Sequence, residues 1–187
     1  MLKSIVGILE EVGANSCVLL VGDWGLEIRC SQQVLGNMSG KLGKKIKLWS
    51  WLRIYEEEIV LYGFEKREDL VLFKMLISVS GVGPKGALSI MDLAESEKIG
   101  QAIDEAQADW ISRAKGVGKK TAQRIIVELR GKLVVDEVKS EEDEEIVEIM
   151  KGLGFARKEY EKLFTKMPKK LKTVEEKTQW LLRNINS

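Results

Sequence analysis

The sequence predicts an α+β protein made of a small β-barrel, a helical domain and a short helical bundle. Three observations support this. Residues 1–64 alternate short β-branched runs with glycine turns, residues 65–133 switch to helical periodicity, and an acidic run at 134–145 sets off a second helical segment.

In the first segment, apolar runs over Ser4–Leu9, Ser16–Val21, Leu26–Cys30, Lys45–Ile54 and Ile59–Phe64 are rich in β-branched and aromatic residues. Gly13-Ala14-Asn15, Gly22-Asp23-Trp24-Gly25 and the stretch from Gly40 to Gly43 supply turns. Five strands this short suit a closed or partly open barrel. Cys17 and Cys30 fall in these runs and are expected as small buried residues rather than as a disulfide.

From Glu65 the period changes. Leu70, Phe73, Met75, Leu76 and Ile77, then Leu88, Ile90, Met91 and Leu93, recur at helical spacing, and the pattern continues to about Leu133. In Val134–Glu145, seven carboxylates (Asp136, Glu137, Glu141, Glu142, Asp143, Glu144 and Glu145) face Lys139 alone. A flexible linker over 134–140 is expected there, then a helix from Glu141 or Glu142 whose first-turn carboxylates complement its dipole. The rest reads as three short helices. The first carries Ile146, Ile149 and Met150 and stops at Gly152-Leu153-Gly154-Phe155; the second spans about Arg157–Lys166 and the third about Val174–Ile185. The expected domains are therefore 1–64, 65–133 and 141–187.

Composition narrows the chemistry. The 187 residues include 30 Lys plus Arg, 29 Asp plus Glu and no histidine, for a net charge of +1. Without histidine, Ser-His-Asp, Cys-His and His-metal sites are unavailable, and two cysteines are too few for structural zinc. No metal or cofactor is expected. The charge is unevenly placed. Residues 1–64 carry seven basic and seven acidic groups, 65–132 twelve and ten, 133–145 one and seven, and 146–187 ten and five. The first apolar run turns acidic too early for a signal peptide, and no apolar stretch approaches the roughly 20 residues of a membrane span. A soluble cytoplasmic protein is expected.

The strongest internal signal is a duplication. Residues 76–87, centred on Gly81-Val82-Gly83-Pro84-Lys85, align with 111–122, centred on Gly116-Val117-Gly118-Lys119-Lys120, at a constant offset of 35. Each copy has a helical run, a Gly-Val-Gly turn, a basic residue, and a small Ala opening onto a second helix. Such a turn leaves backbone N–H groups uncovered at a helix N-terminus, where they form an anion site. Pro84 suits the first position of that helix, and the lysines add charge beside it. This is the helix-hairpin-helix pattern for holding a DNA phosphate without reading bases. The candidate DNA-contact residues are Gly81, Val82, Gly83 and Lys85 in the first copy. In the second they are Lys115, Gly116, Val117, Gly118, Lys119, Lys120, Thr121 and Arg124. A nucleotide-binding loop is excluded at Gly118-Lys119-Lys120-Thr121, because the glycine required five positions before Gly118 is Arg113.

Between the last two strands lies Tyr55-Glu56-Glu57-Glu58, a turn with none of the usual turn residues. Three adjacent carboxylates are either a solvated tip that keeps the hairpin from pairing with other chains, or a wedge that repels phosphate.

In this order, these features resemble the RuvA family, junction-binding subunits of the bacterial RuvAB branch-migration machine. The resemblance spans essentially the whole chain. It rests on Leu61-Tyr62-Gly63-Phe64, Leu72-Phe73-Lys74, Gly81-Val82-Gly83-Pro84-Lys85, Gly116–Ala122 followed by Arg124-Ile125-Ile126-Val127-Glu128, and Gly152-Leu153-Gly154-Phe155. It implies an OB-fold barrel, a domain of paired hairpins and an acidic linker to a mobile bundle of ubiquitin-associated type. It further implies a homotetramer that holds a four-way Holliday junction open in recombination and DNA repair. An acidic pin would be formed by Glu56, Glu57 and Glu58. The third domain would dock a RuvB-type hexameric ATPase, with Ile149, Leu153, Phe155 and Leu181 as the docking candidates, and a RuvC-type resolvase is a further implied partner. The chain itself would be non-catalytic. Two departures stand out: Tyr55 occupies the position before the pin where a basic residue is common, and the second hairpin opens on Ala114-Lys115 instead of Leu-Pro, which is expected to change its turn.

Two other readings differ in what they require. A helix-hairpin-helix glycosylase or AP lyase would use a hairpin lysine such as Lys120 with an aspartate such as Asp136. A general structure-selective DNA-binding protein would stack single strands on Trp24, Trp49, Trp51 and Tyr55 of the barrel.

Overall fold

The computed structural model describes residues 2–132, 141–155, 157–164, 167–168, 171 and 173–185. The expected linker, 134–140, lies outside them. The chain forms two compact units, Met1–Val135 and Asp136–Ser187.

The first unit opens with β1 (Ser4–Val12), β2 (Ser16–Val21), β3 (Trp24–Arg29), β4 (Lys45–Ile54) and β5 (Ile59–Phe64), closed in the order β1-β2-β3-β5-β4. Alternation sets the inside: in β1, Ile5, Gly7 and Leu9 are buried while Val6 and Ile8 face out. The barrel is closed by a short parallel pairing of β3 with β5, Ile28 opposite Leu61 and Arg29 opposite Tyr62. Inside lie Leu9, Leu19, Ile28 and Leu48 with Cys17 and Cys30, both free thiols.

One element goes beyond the sequence expectation. Helix α1 (Gln32–Met38) lies between β3 and β4, and its Val34, Leu35 and Met38 pack into the barrel core. Ser31 caps it, its hydroxyl accepting from the Val34 N–H at 3.4 Å. At seven residues the helix offers too few turns for its periodicity to stand out.

Five helices follow: α2 (Arg67–Ser78), α3 (Pro84–Met91), α4 (Ser96–Asp104), α5 (Ala108–Ile111) and α6 (Lys119–Leu129). Their core takes in Val60, Tyr62 and Phe64 of β5, while the barrel interior forms a cluster of its own. Phe73 of α2 is fully buried, and its ring centre lies 5.4 Å from Trp51, 5.4 Å from Tyr62 and 4.9 Å from Phe64. The change of secondary structure at 64/65 is therefore a change of element within one hydrophobic core.

Polar contacts line the seam. The Asp92 carboxylate at the end of α3 accepts from the Gln32 N–H at 2.6 Å and so satisfies the first turn of α1. Glu65 accepts from Lys41 and from Asn37, each at 2.9 Å. The hairpin domain is thus held to the barrel by packing and by hydrogen bonds.

The second unit contains α7 (Glu141–Gly152), α8 (Arg157–Phe164) and α9 (Val174–Ile185) around Ile146, Met150, Tyr160 and Leu181. Thr173 precedes helix α9, and its hydroxyl accepts from the Glu176 N–H at 3.2 Å.

Candidate nucleic-acid interface

The duplication in sequence is a duplication in hydrogen bonding. In the first hairpin, between α2 and α3, the N–H groups of Val79, Val82 and Ala87 donate to the carbonyls of Leu76, Val79 and Gly83 at 3.2, 3.0 and 2.9 Å. In the second, between α5 and α6, the N–H groups of Ala114, Val117 and Ala122 donate to Ile111, Ala114 and Gly118 at 3.1, 3.0 and 2.9 Å. Every donor and acceptor is displaced by 35 residues. Gly81 and Gly116 take φ values of 88° and 81°, a left-handed conformation that side chains disfavour. The turn that follows Ala114-Lys115 thus has the same hydrogen bonds as the turn that follows Val79-Ser80. A left-handed glycine and one buried apolar anchor set this geometry, and both copies have them.

Val82 and Val117 are those anchors, 7% and 5% exposed. Their side chains face the core and their N–H groups close the turns, so they shape the site from behind. The groups that face solvent are different. Gly83 and Gly118 precede α3 and α6, and no side chain caps either helix, so the first-turn N–H groups stay open. Lys85, Lys115 and Lys120 are exposed beside them and make no ion pair among the described residues, while Thr121 is half-buried.

Lys119 differs, lying 2.9 Å from the Asp109 carboxylate. That hydrogen bond and the paired charge hold the Asp109 carboxyl below its usual value and the Lys119 ammonium above its own. Arg124 differs again: its Nη1 donates to the Ser80 carbonyl of the first hairpin at 3.0 Å.

At the pin, the Tyr55 N–H donates to the Glu58 carbonyl at 2.8 Å and closes a four-residue turn. The Arg53 guanidinium lies 4.7 Å from the centre of the Tyr55 ring, so a cation sits next to Tyr55 after all. The Glu58 carboxylate meets Arg29 of β3 at 3.4 Å and ties the root of the pin to the barrel. Glu56 and Glu57 are exposed at the tip, without an ion pair among the described residues.

The barrel aromatics are divided. Trp51 packs against Tyr62 and Phe73, and Trp49 is half-buried between Lys47 and Arg67, with the cations 4.5 and 5.8 Å from its ring centre. Of the proposed stacking platform, Trp24 alone is largely open, at 76% exposure. Asp136, which a lyase reading would need beside Lys120, lies outside the described residues.

In the second unit, Ile149 and Leu153 are exposed at 37% and 56%, Phe155 is half-buried against the bundle core, and Leu181 is fully buried within it.

Comparison with known proteins matches residues 1–63 to the family model described as the RuvA N terminal domain. Residues 73–132 match the SAM-like helix-hairpin-helix tandem. Many relatives match, among them three that carry the name Holliday junction branch migration complex subunit RuvA. The protein from Caldanaerobacter subterraneus subsp. tengcongensis is 35% identical over 162 positions, covering 85% of this chain and 86% of its own. That from Clostridium perfringens is 35% identical over 187 positions, with 91% and 92% covered. That from Chloroflexus aurantiacus is 33% identical over 195 positions, spanning 100% of both chains. With its closed barrel, its paired hairpins and relatives matched over most of their length, the chain belongs to the RuvA family.

Proposed function

We propose that this chain is the Holliday-junction-binding subunit of a branch-migration complex, holding the crossover open while a partner ATPase moves the DNA. The observation that carries this is the pair of Gly-Val-Gly hairpins with identical hydrogen bonding and two uncapped helix N-termini. Open N–H groups aimed at solvent bind phosphate oxygens through geometry and dipole, and Lys85, Lys115, Lys119 and Lys120 add charge around them. Neither group reads a base edge, so binding is independent of sequence and steeply dependent on salt.

The pin does the opposite work. Arg29 engages Glu58, so the free repulsion comes from Glu56 and Glu57. Carboxylates within a Debye length of about 8 Å push phosphates apart at the crossover, while the hairpins hold the arms. The proposed DNA-contact set is thus the two hairpins, and the proposed wedge is the pin tip.

Four copies around a fourfold axis would match the four arms of the junction. No step here needs a nucleophile or general base, in keeping with a non-catalytic subunit whose motor is a RuvB-type hexameric ATPase and whose product passes to a RuvC-type resolvase. The exposed Ile149 and Leu153 are the proposed motor contact, with Phe155 and Leu181 supporting them from the bundle core. The domains act as proposed from the sequence: barrel and pin, hairpins, linker, and motor-binding bundle.

Competition binding tests the central claim. A labelled four-way junction should survive an equal concentration of linear duplex or single strand. Displacement by either at parity would overturn it, and cleavage of an abasic duplex lost with Lys120→Ala would establish a lyase instead.

A further inference from the structure

We propose that Arg124 is a positioning residue, a strut from the second hairpin that sets the spacing of the pair, and not a phosphate ligand. The claim rests on the hairpins binding DNA, but the strut is tested separately from that reading.

Arg124 projects from α6 to the neighbouring hairpin. Its Nη1 donates to the Ser80 carbonyl at 3.0 Å and lies 3.8 Å from where a Cβ on Gly81 would sit. The Ser80 carbonyl belongs to the peptide that leads into Gly81, and no backbone N–H among the described residues takes it. An arginine is suited to this role. Its long stem reaches across, and its charged N–H makes a stronger bond to a carbonyl than a neutral donor does.

The repeat supplies an internal control. Shifted back by 35 residues, Arg124 corresponds to Ser89 and Ser80 corresponds to Lys115. Ser89 is too short to span the same gap, and no side chain among the described residues bonds the Lys115 carbonyl. The pseudo-symmetry of hydrogen bonds is therefore broken at this one link between the turns. The hairpins also come close at Val117, whose Cγ2 lies 3.7 Å from where a Cβ on Gly86 would sit.

Two hairpins that hold two phosphates act as a bivalent binder, and bivalent affinity depends on their separation being right before the DNA arrives. Arg124 supplies that preorganisation. A phosphate ligand and a strut then differ in one measurable respect, because only a ligand releases a counterion.

The experiment uses the full chain and Arg124→Met. Arg124 is exposed, so folding is expected to be retained, and thermal unfolding checks it. In the DNA-free protein, the Gly81 amide resonance, which reports on the Ser80 carbonyl of the same peptide, should move in Arg124→Met and stay in place in Lys120→Met. A Gly81 resonance unmoved by Arg124→Met would overturn the strut. With linear duplex between 50 and 200 mM salt, Arg124→Met should bind up to about tenfold more weakly, the scale of one charge-assisted hydrogen bond, with an unchanged salt slope. A slope reduced by about 0.9 per chain would show a direct phosphate contact and overturn the proposal. Should the native chain bind no duplex, the proposed function fails, while the Gly81 resonance still decides the strut.

Discussion

Lys119 differs from the other hairpin lysines because Asp109 already holds it, at 2.9 Å and in full solvent. A phosphate approaching Lys119, as proposed, would have to compete with that carboxylate. Asp109→Asn removes the competitor and a nearby negative charge, so duplex affinity should rise about twofold at low salt and the gain should fade as salt is raised. Fluorescence anisotropy at two salt concentrations measures this; unchanged affinity at low salt would mean that the pair does not restrain Lys119. At the pin, replacing Glu56 and Glu57 together by lysine turns repulsion into attraction. Duplex binding should tighten while motor-driven junction processing fails, both readable with one synthetic junction and its linear arms. These side chains were legible in the sequence as types and spacing. Their partners were not: Asp109 is ten residues from Lys119 and Arg29 is 29 from Glu58, and only folding brings each pair together.

At the scale of elements, the hairpin depends on its first glycine. Gly116 has φ 81° and nothing within 4 Å of its Cβ position, so Gly116→Ala is opposed by backbone conformation alone. A stability loss of about 1–2 kcal/mol is expected, with weaker DNA binding as the turn shifts. Gly118, at φ −79° and equally open, is the control: Gly118→Ala should unfold near the native temperature. Equal melting temperatures for the two variants would contradict this account. The repeat was legible because a positive-φ position nearly demands glycine, leaving Gly-Val-Gly visible at a fixed offset. Helix α1 was not, because three buried residues over two turns also fit a loop packed on a barrel. The two turns share their hydrogen bonds although Val79-Ser80 precedes one glycine and Ala114-Lys115 the other, because the left-handed glycine sets the conformation.

Over the whole first unit, the seam between barrel and hairpins decides where the hairpins stand relative to the pin. Burial pushes the Glu65 carboxyl up, but hydrogen bonds from Lys41 and Asn37 outweigh it and leave the group below its usual value. A lowered carboxyl stabilises the fold above the ordinary carboxylate range and loses that contribution as pH falls through its own value. Glu65→Gln should therefore lower the melting temperature near pH 7, and the gap from the native chain should narrow as pH falls below the ordinary carboxylate range. The difference between the two proteins is the quantity to follow. Burial raises Asp69 and Asp92, and their contributions run the opposite way with pH in both proteins. A gap that stayed constant as pH fell below the ordinary carboxylate range would show that the Glu65 clasp contributes nothing through its charge.

The sequence by itself determined the strand runs, the paired glycine turns and the acidic pin, because each is a local pattern of periodicity, backbone freedom or charge. It also determined the family resemblance, through the order in which those patterns follow one another. Only the tertiary structure decided which hairpin groups face solvent, that Trp49 and Trp51 serve the seam, and that Leu181 is core. It alone joined Gln32 to Asp92 and Arg124 to Ser80, which are 60 and 44 residues apart. Such contacts depend on where closed elements come to rest against one another, and no periodicity within a single element records that.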